Sequence, residues 1–172
     1  GGSVKVLDYK PFDKKHSFLR SISILMGQKS QFTWELSAND TFKLLKEIYD
    51  VPSNEYLKTL DELVYMLSAS DIIDKQVRKL SLGERMKCEL IGALLYRPKV
   101  LFLDEPTIGL DVVVSKKLRT FIKDYNQKYE STILLTSHYM HDVSELCKRV
   151  IIINNGVLYY DGLLSELVRK YA

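Results

Sequence analysis

In the stretch "VLFLDEP", residues 100–106, four apolar residues run straight into two adjacent carboxylates, Asp104 and Glu105, followed by a proline. Neighbouring negative charges repel unless something positive lies near, and a divalent metal would resolve the conflict. Mg²⁺ is held by one or two carboxylates together with waters and substrate phosphates, while a second carboxylate can orient or deprotonate an attacking water. Taken alone, the pair reads equally well as a solvated acidic loop. A second apolar run, "TILLT", ends in Ser137 and His138, with His141 following at H-x-x-H spacing. Such a pair can ligate metal, but no third ligand is evident, so a solvated histidine is the plainer reading. The segment "LSLGERMKCELIGALLYRP" places Glu84 three residues after Ser81, the spacing of a capping box, with Gly83 in the first turn. A helix start of this kind leaves backbone N–H groups open to an anion, phosphate above all, although an ordinary cap explains it too.

The elements that must position these residues follow from periodicity. From Ser81 onward the pattern predicts a helix to about Tyr96, the strand "VLFL", a helix from roughly Ser115 to Tyr129, the strand "TILLT" and a helix near Met140 to Lys148. Such alternation argues an α/β fold with a parallel sheet. Ligands gather outside the carboxyl ends of such strands, and the right-handed crossover makes Asp104–Glu105 and Ser137–His138 neighbours on one edge. The middle, residues 36–80, carries apolar residues at helical spacing with a break at Asp50-Val51-Pro52, and reads as a helical subdomain. Residues 1–35 read as sheet-rich, with "VKVLDY" and "SISILMG" as strands around the basic link "PFDKKHSFLR". "VIIINNGVLYYDG" reads as a hairpin, because Asn155-Gly156 suits the positive φ values of a tight primed turn.

At 172 residues and 46% hydrophobic, the chain supports one domain with a real core. Its net charge of +3 is spread over small groups such as Arg78-Lys79 and Lys148-Arg149, so no basic stripe calls for nucleic acid. Cys88 and Cys147 form no C-x-x-C pair and read as reduced core thiols, which fits a cytosolic compartment. No apolar run approaches the roughly 18 residues of a membrane span. His16 sits among lysines and reads as surface.

In order along the chain, "LSLGER", "VLFLDEPTIGLD" and "TSH" resemble the nucleotide-binding domain of ABC-type ATPases. "LSLGE" is similar to that family's signature loop, "VLFLDE" to its Walker B strand and catalytic glutamate, "GLD" to its D-loop, and His138 to its switch histidine. "MGQKSQFTWEL" resembles the Q-loop, with Gln28 the better-placed glutamine ahead of Phe32-Thr33-Trp34. The resemblance covers the chain from Gly1 to the closing "NNGVLYYDG", and within the family points to ATPase subunits of bacterial type 2 ABC exporters.

It implies a P-loop NTPase-like fold, with a parallel sheet carrying helices on both faces plus the helical subdomain. It also implies ATP and Mg²⁺ as ligands. Asp104 would hold Mg²⁺ through water, Gln28 would touch the metal, Glu105 would polarise the attacking water, and His138 would contact the γ-phosphate. Ser81, Leu82, Gly83 and Glu84 would cap the nucleotide of a second ATPase domain, in a homodimer with Asp111 at its seam. An integral-membrane permease subunit would be the further partner, placing the protein on the cytoplasmic face of a bacterial plasma membrane. Phe32, Trp34 and Phe42 could form a socket for a permease helix, or simply pack within the helical subdomain.

Two features depart from the family pattern. Leu82 stands where a second glycine is usual and Glu84 where glutamine is usual, and both would weaken the signature contact. The chain also contains no G-x-x-x-x-G-K-[ST] phosphate loop, so it looks like an N-terminally incomplete domain, inactive alone. Rival readings are a soluble ABC-type ATPase without a permease and a catalytically inactive remnant.

Overall fold

A computed structural model describes residues 2–171, and at Tyr171 the backbone alone. Strands β1 (Ile22–Met26), β2 (Val100–Asp104) and β3 (Thr132–Thr136) form a parallel sheet in the order β1-β2-β3. All three are rich in β-branched and leucine side chains, which suit a pleated, packed surface. Their register is continuous: Ile22, Val100 and Thr132 share the first rung, and Met26, Asp104 and Thr136 share the last. The three strand ends therefore open at one level. Leu25, Leu101 and Leu103 point into the covered face and are buried, whereas Ile24 and Leu134 on the opposite face are each about half exposed.

Helices supply the crossovers. Helix α1 (His16–Leu19) precedes β1; α2 (Ala38–Ile48), α3 (Ser53–Leu67) and α4 (Leu82–Leu94) lie between β1 and β2. Helix α5 (Val112–Tyr129) joins β2 to β3, and α6 (Met140–Leu146) follows β3. The break between α2 and α3 falls where the sequence predicts it, with Asp50 left-handed at φ +48 and Pro52 capping the next helix. One core runs through the molecule. Phe42 of α2 and Leu63 of α3 share it with Leu90 and Ile91 of α4, Leu101 of β2, and Leu118 and Tyr125 of α5. The helical subdomain is thus welded to the sheet by α4, whose buried face serves both.

The closing hairpin, β4 (Arg149–Asn154) and β5 (Val157–Leu163), turns at Asn155 (φ +48) and Gly156 (φ +75) as expected, with a register irregularity at Ile152/Ile153. Helix α7 (Leu164–Tyr171) completes the chain. One expectation needs correction: "VKVLDY" is not a strand. Leu7 and Asp8 both take positive φ, and the segment closes on itself through a single Val6–Tyr9 bridge. Alternating apolar residues without a neighbouring strand gain nothing from extension, so local turn bonds win. The sheet-rich stretch expected over residues 1–35 begins at Gly1, which lies outside the described residues.

Candidate active site

Asp104 ends β2 on the rung it shares with Met26 and Thr136. The Thr136 hydroxyl donates to Asp104 Oδ1 at 2.5 Å, and the Gly27 amide donates to the Asp104 carbonyl at 2.8 Å. Three strand ends are therefore tied through one aspartate. The next residue leaves the sheet sharply: Glu105 sits at φ +52, a strained region for a non-glycine residue, and its amide donates to the Thr136 carbonyl at 3.0 Å. Gly27 makes this turn possible, because a Cβ there would collide with the Glu105 carbonyl oxygen. Gln28, the following residue, is exposed and makes no side-chain hydrogen bond among the described residues. Gln31 is engaged instead, donating to the Ile24 carbonyl at 2.8 Å.

His138 closes the other side. Its Nδ1 stands 2.8 Å from Glu105 Oε2, and its ring leans on Tyr139 with centroids 4.2 Å apart. The approach is close but not in line: Oε2 is buried without a hydrogen-bond partner. A buried acceptor without a donor is unfavourable by about 1–3 kcal/mol, so this oxygen favours a donor such as a bound water. His138 is half exposed and Glu105 is largely covered, at 23%. His141 is exposed, and no three His, Cys, Asp or Glu side chains among the described residues converge as a metal cage. Mg²⁺ takes one or two carboxylates and completes its shell with water and phosphate oxygens. Asp104 at the strand end is a carboxylate of that kind.

The start of α4 is a full capping box. The Ser81 hydroxyl accepts from the Glu84 amide at 3.3 Å, and the Glu84 carboxylate accepts from the Ser81 amide at 2.8 Å. The Ser81 amide first, and then the Ser81 hydroxyl beside the carboxylate, hold the Glu84 carboxyl below its usual range. Two of the N–H groups expected to face an anion are consequently occupied. Leu82 lies over the "GLD" loop, its Cδ2 within 3.1 Å of where a Gly109 Cβ would be, and Val114 stands equally close over Gly83. Asp111 caps α5, Oδ1 accepting from the Val113 and Val114 amides at 2.9 Å each. No hydrogen bond or ion pair of Ser81 or Glu84 among the described residues reaches Asp104, Glu105 or His138.

Of the three aromatics, Phe32 and Phe42 are buried and meet edge to face at 5.9 Å, so packing accounts for them. Trp34 is 53% exposed, with the Arg85 guanidinium 5.8 Å from its ring. Sequence reasoning missed Gly27 and Thr136. A glycine directly after a strand was the available signal for the first; for the second only the register tells.

The strand ends thus gather two carboxylates and a histidine on one edge of an α/β core. The structure of an ATP-binding subunit of an ABC transporter matches with a TM-score of 0.86 at 22% identity, covering 99% of this chain and 70% of that one. The structure of cbiO1 from Clostridium perfringens, part of the ABC transporter complex cbiONQ, matches at 0.75 and 24% identity, covering 88% of this chain and 61% of that one. These likenesses define the fold. The sequence pattern of the family described as ABC transporter matches residues 1–108, and the chain belongs to that family. Among its relatives is the ABC transporter ATP-binding protein NatA of Bacillus subtilis, 30% identical over 146 residues, or 85% of this chain. The chain spans 59% of the length of that relative.

Proposed function

We propose that the chain carries the hydrolytic half-site of an ATPase subunit that energises a membrane exporter. The observation that carries this reading is the buried, unpartnered Glu105 Oε2 facing His138 beside Asp104, at the carboxyl ends of parallel strands. ATP is the substrate. Glu105 orients the attacking water and takes up its proton, the work of a general base at a site where positioning and charge stabilisation dominate. His138 donates to the transferring phosphate. Asp104 and Gln28 are the residues that would hold Mg²⁺, which when bound neutralises charge on the phosphate oxygens.

Ser81, Leu82, Gly83 and Glu84 serve the nucleotide of a second copy, with Asp111 at the seam between copies. Leu82, lying over the Gly109 loop, and Glu84, whose capping box already occupies the Ser81 and Glu84 amides, weaken that contact. The exposed Trp34, next to the Q-loop-like turn, is the residue offered to a permease subunit. The division into residues 1–35, 36–80 and 81–172 is then functional rather than structural, because one core spans all three. In this reading a permease supplies the membrane span and the protein sits peripherally on the cytoplasmic face, as in bacterial systems of this kind; no helix among the described residues is itself long and apolar enough to cross a membrane.

The test is ATP turnover by the complete gene product carrying Glu105→Gln. Loss by about 10²–10⁴, with nucleotide binding kept, is expected for removal of a general base. Undiminished turnover would reject the reading.

A further inference from the structure

One carboxylate among the described residues is fully buried and belongs to none of the roles above. Asp142, in α6, is 0% exposed, and its side chain accepts three hydrogen bonds from three different segments. The Thr107 hydroxyl donates to Oδ2 at 2.5 Å, the Ser137 hydroxyl donates to the same oxygen at 2.9 Å, and Arg119 Nη1 donates to Oδ1 at 3.1 Å. Thr107 lies two residues after Glu105, and Ser137 immediately precedes His138. Ser137 also accepts from the Tyr139 amide at 3.0 Å, so the residues on both sides of His138 hang from the same anchor.

A buried ion pair is a poor device for stability alone, because desolvating two charges offsets most of their attraction. An apolar side chain of similar volume would fill the space at lower cost. What an apolar residue could not do is hold two loops at a fixed separation. Thr107 and Ser137 meet on one carboxylate oxygen, and the loops they belong to carry Glu105 and His138 at 2.8 Å. Arg119, itself buried and also bonded to Glu145 at 3.0 Å, fixes the carboxylate's orientation from the far side.

We propose that Asp142 is a positioning residue for hydrolysis: through Thr107 and Ser137 it clamps the Glu105 loop to the His138 loop and so sets the geometry of the attacking water. This rests on the reading that Glu105 and His138 serve ATP hydrolysis. Displacing catalytic groups by about 1 Å lowers rate by as much as about 100-fold without touching substrate binding.

The experiment is steady-state ATP turnover by the complete gene product. Thr107→Val removes one arm of the clamp yet leaves the Asp142–Arg119 pair in place, and Ser137→Ala removes the other. Each is expected to lower kcat by about tenfold or more with KM for ATP nearly unchanged, while Thr107→Ser, which restores the hydroxyl, recovers the rate. Introduced into Glu105→Gln, neither variant should lower turnover much further, because the Glu105–His138 pair whose spacing it sets is already broken. A folded Thr107→Val or Ser137→Ala protein with wild-type kcat and only a lower Tm would overturn the clamp and leave Asp142 a structural anchor. If Glu105→Gln itself hydrolyses ATP normally, the underlying reading fails instead, and the clamp falls with it.

Discussion

His138 Nδ1 and Glu105 Oε2 stand 2.8 Å apart at the mouth of the sheet, near enough to share a proton yet not aligned to bond. Oε2 is buried and accepts no hydrogen bond among the described residues, which leaves it a lone pair to offer a water. We expect His138→Ala to lower ATP turnover by about 10²-fold or more, and the double variant with Glu105→Gln to lose little beyond the worse single one. Strictly additive losses would show that the two act independently.

Gly27 is a stability and activity determinant without any functional group. Alanine there drives a methyl into the Glu105 carbonyl, which is already held at a positive φ. Gly27→Ala is expected to destabilise by about 1–3 kcal/mol and to depress turnover together, because relief requires Glu105 to move. Urea unfolding and an ATPase assay on the same preparation decide it; normal values in both would refute the close approach.

Ser81 and Gly83 separate folding from function. Ser81→Ala removes half of the capping box and should reduce stability by about 0.5–2 kcal/mol. Adding Gly83→Asp brings a side chain against Val114 and a negative charge to the helix start, and the pair should abolish turnover in the complete gene product. Retained activity would remove this helix from the nucleotide site.

Phe42 and Trp34 should behave oppositely. Phe42→Ala empties a fully buried position and is expected to cost about 3–5 kcal/mol. Trp34→Ala gives up an exposed ring and one cation–π contact, about 0.5–1 kcal/mol, so its effect should fall on assembly with a permease rather than on folding. Normal assembly with a large loss of stability would return Trp34 to the core.

Alkaline pH should loosen the fold. Burial pushes the Cys88 thiol up to about 12, and the Tyr125 phenol likewise to about 12. In the unfolded chain these groups ionise near about 8.5 and 10, so above about pH 8.5 the unfolded state binds fewer protons than the folded one. Stability is therefore whole below that pH and declines as pH rises toward the folded values. Urea midpoints at neutral and strongly alkaline pH should fall accordingly, and Cys88→Ala should delay the decline. Native-state thiol labelling should reach Cys147, which is only partly covered, before Cys88.

Helices α2 to α6, the three parallel strands and the closing hairpin were legible in the chain because each is encoded by short-range pattern. The capping box is a four-residue device, the Asn155-Gly156 turn a two-residue one, and the apolar runs ending at Asp104 and Thr136 announce their own strand ends. "VKVLDY" misled for the same reason: alternation states what a segment could do, and only a neighbouring strand makes it do so. The apolar runs before them were enough to place Asp104, Glu105 and His138 at or just beyond strand ends. Tertiary structure decided the rest, namely which atoms of those residues meet. The Thr136 hydroxyl reaches Asp104 from 32 residues away, Gly27 leaves room for the Glu105 carbonyl, and Asp142 draws Thr107 in from 35 residues away. Contacts of that kind depend on sheet register and on packing between distant segments, which a linear sequence specifies only by folding.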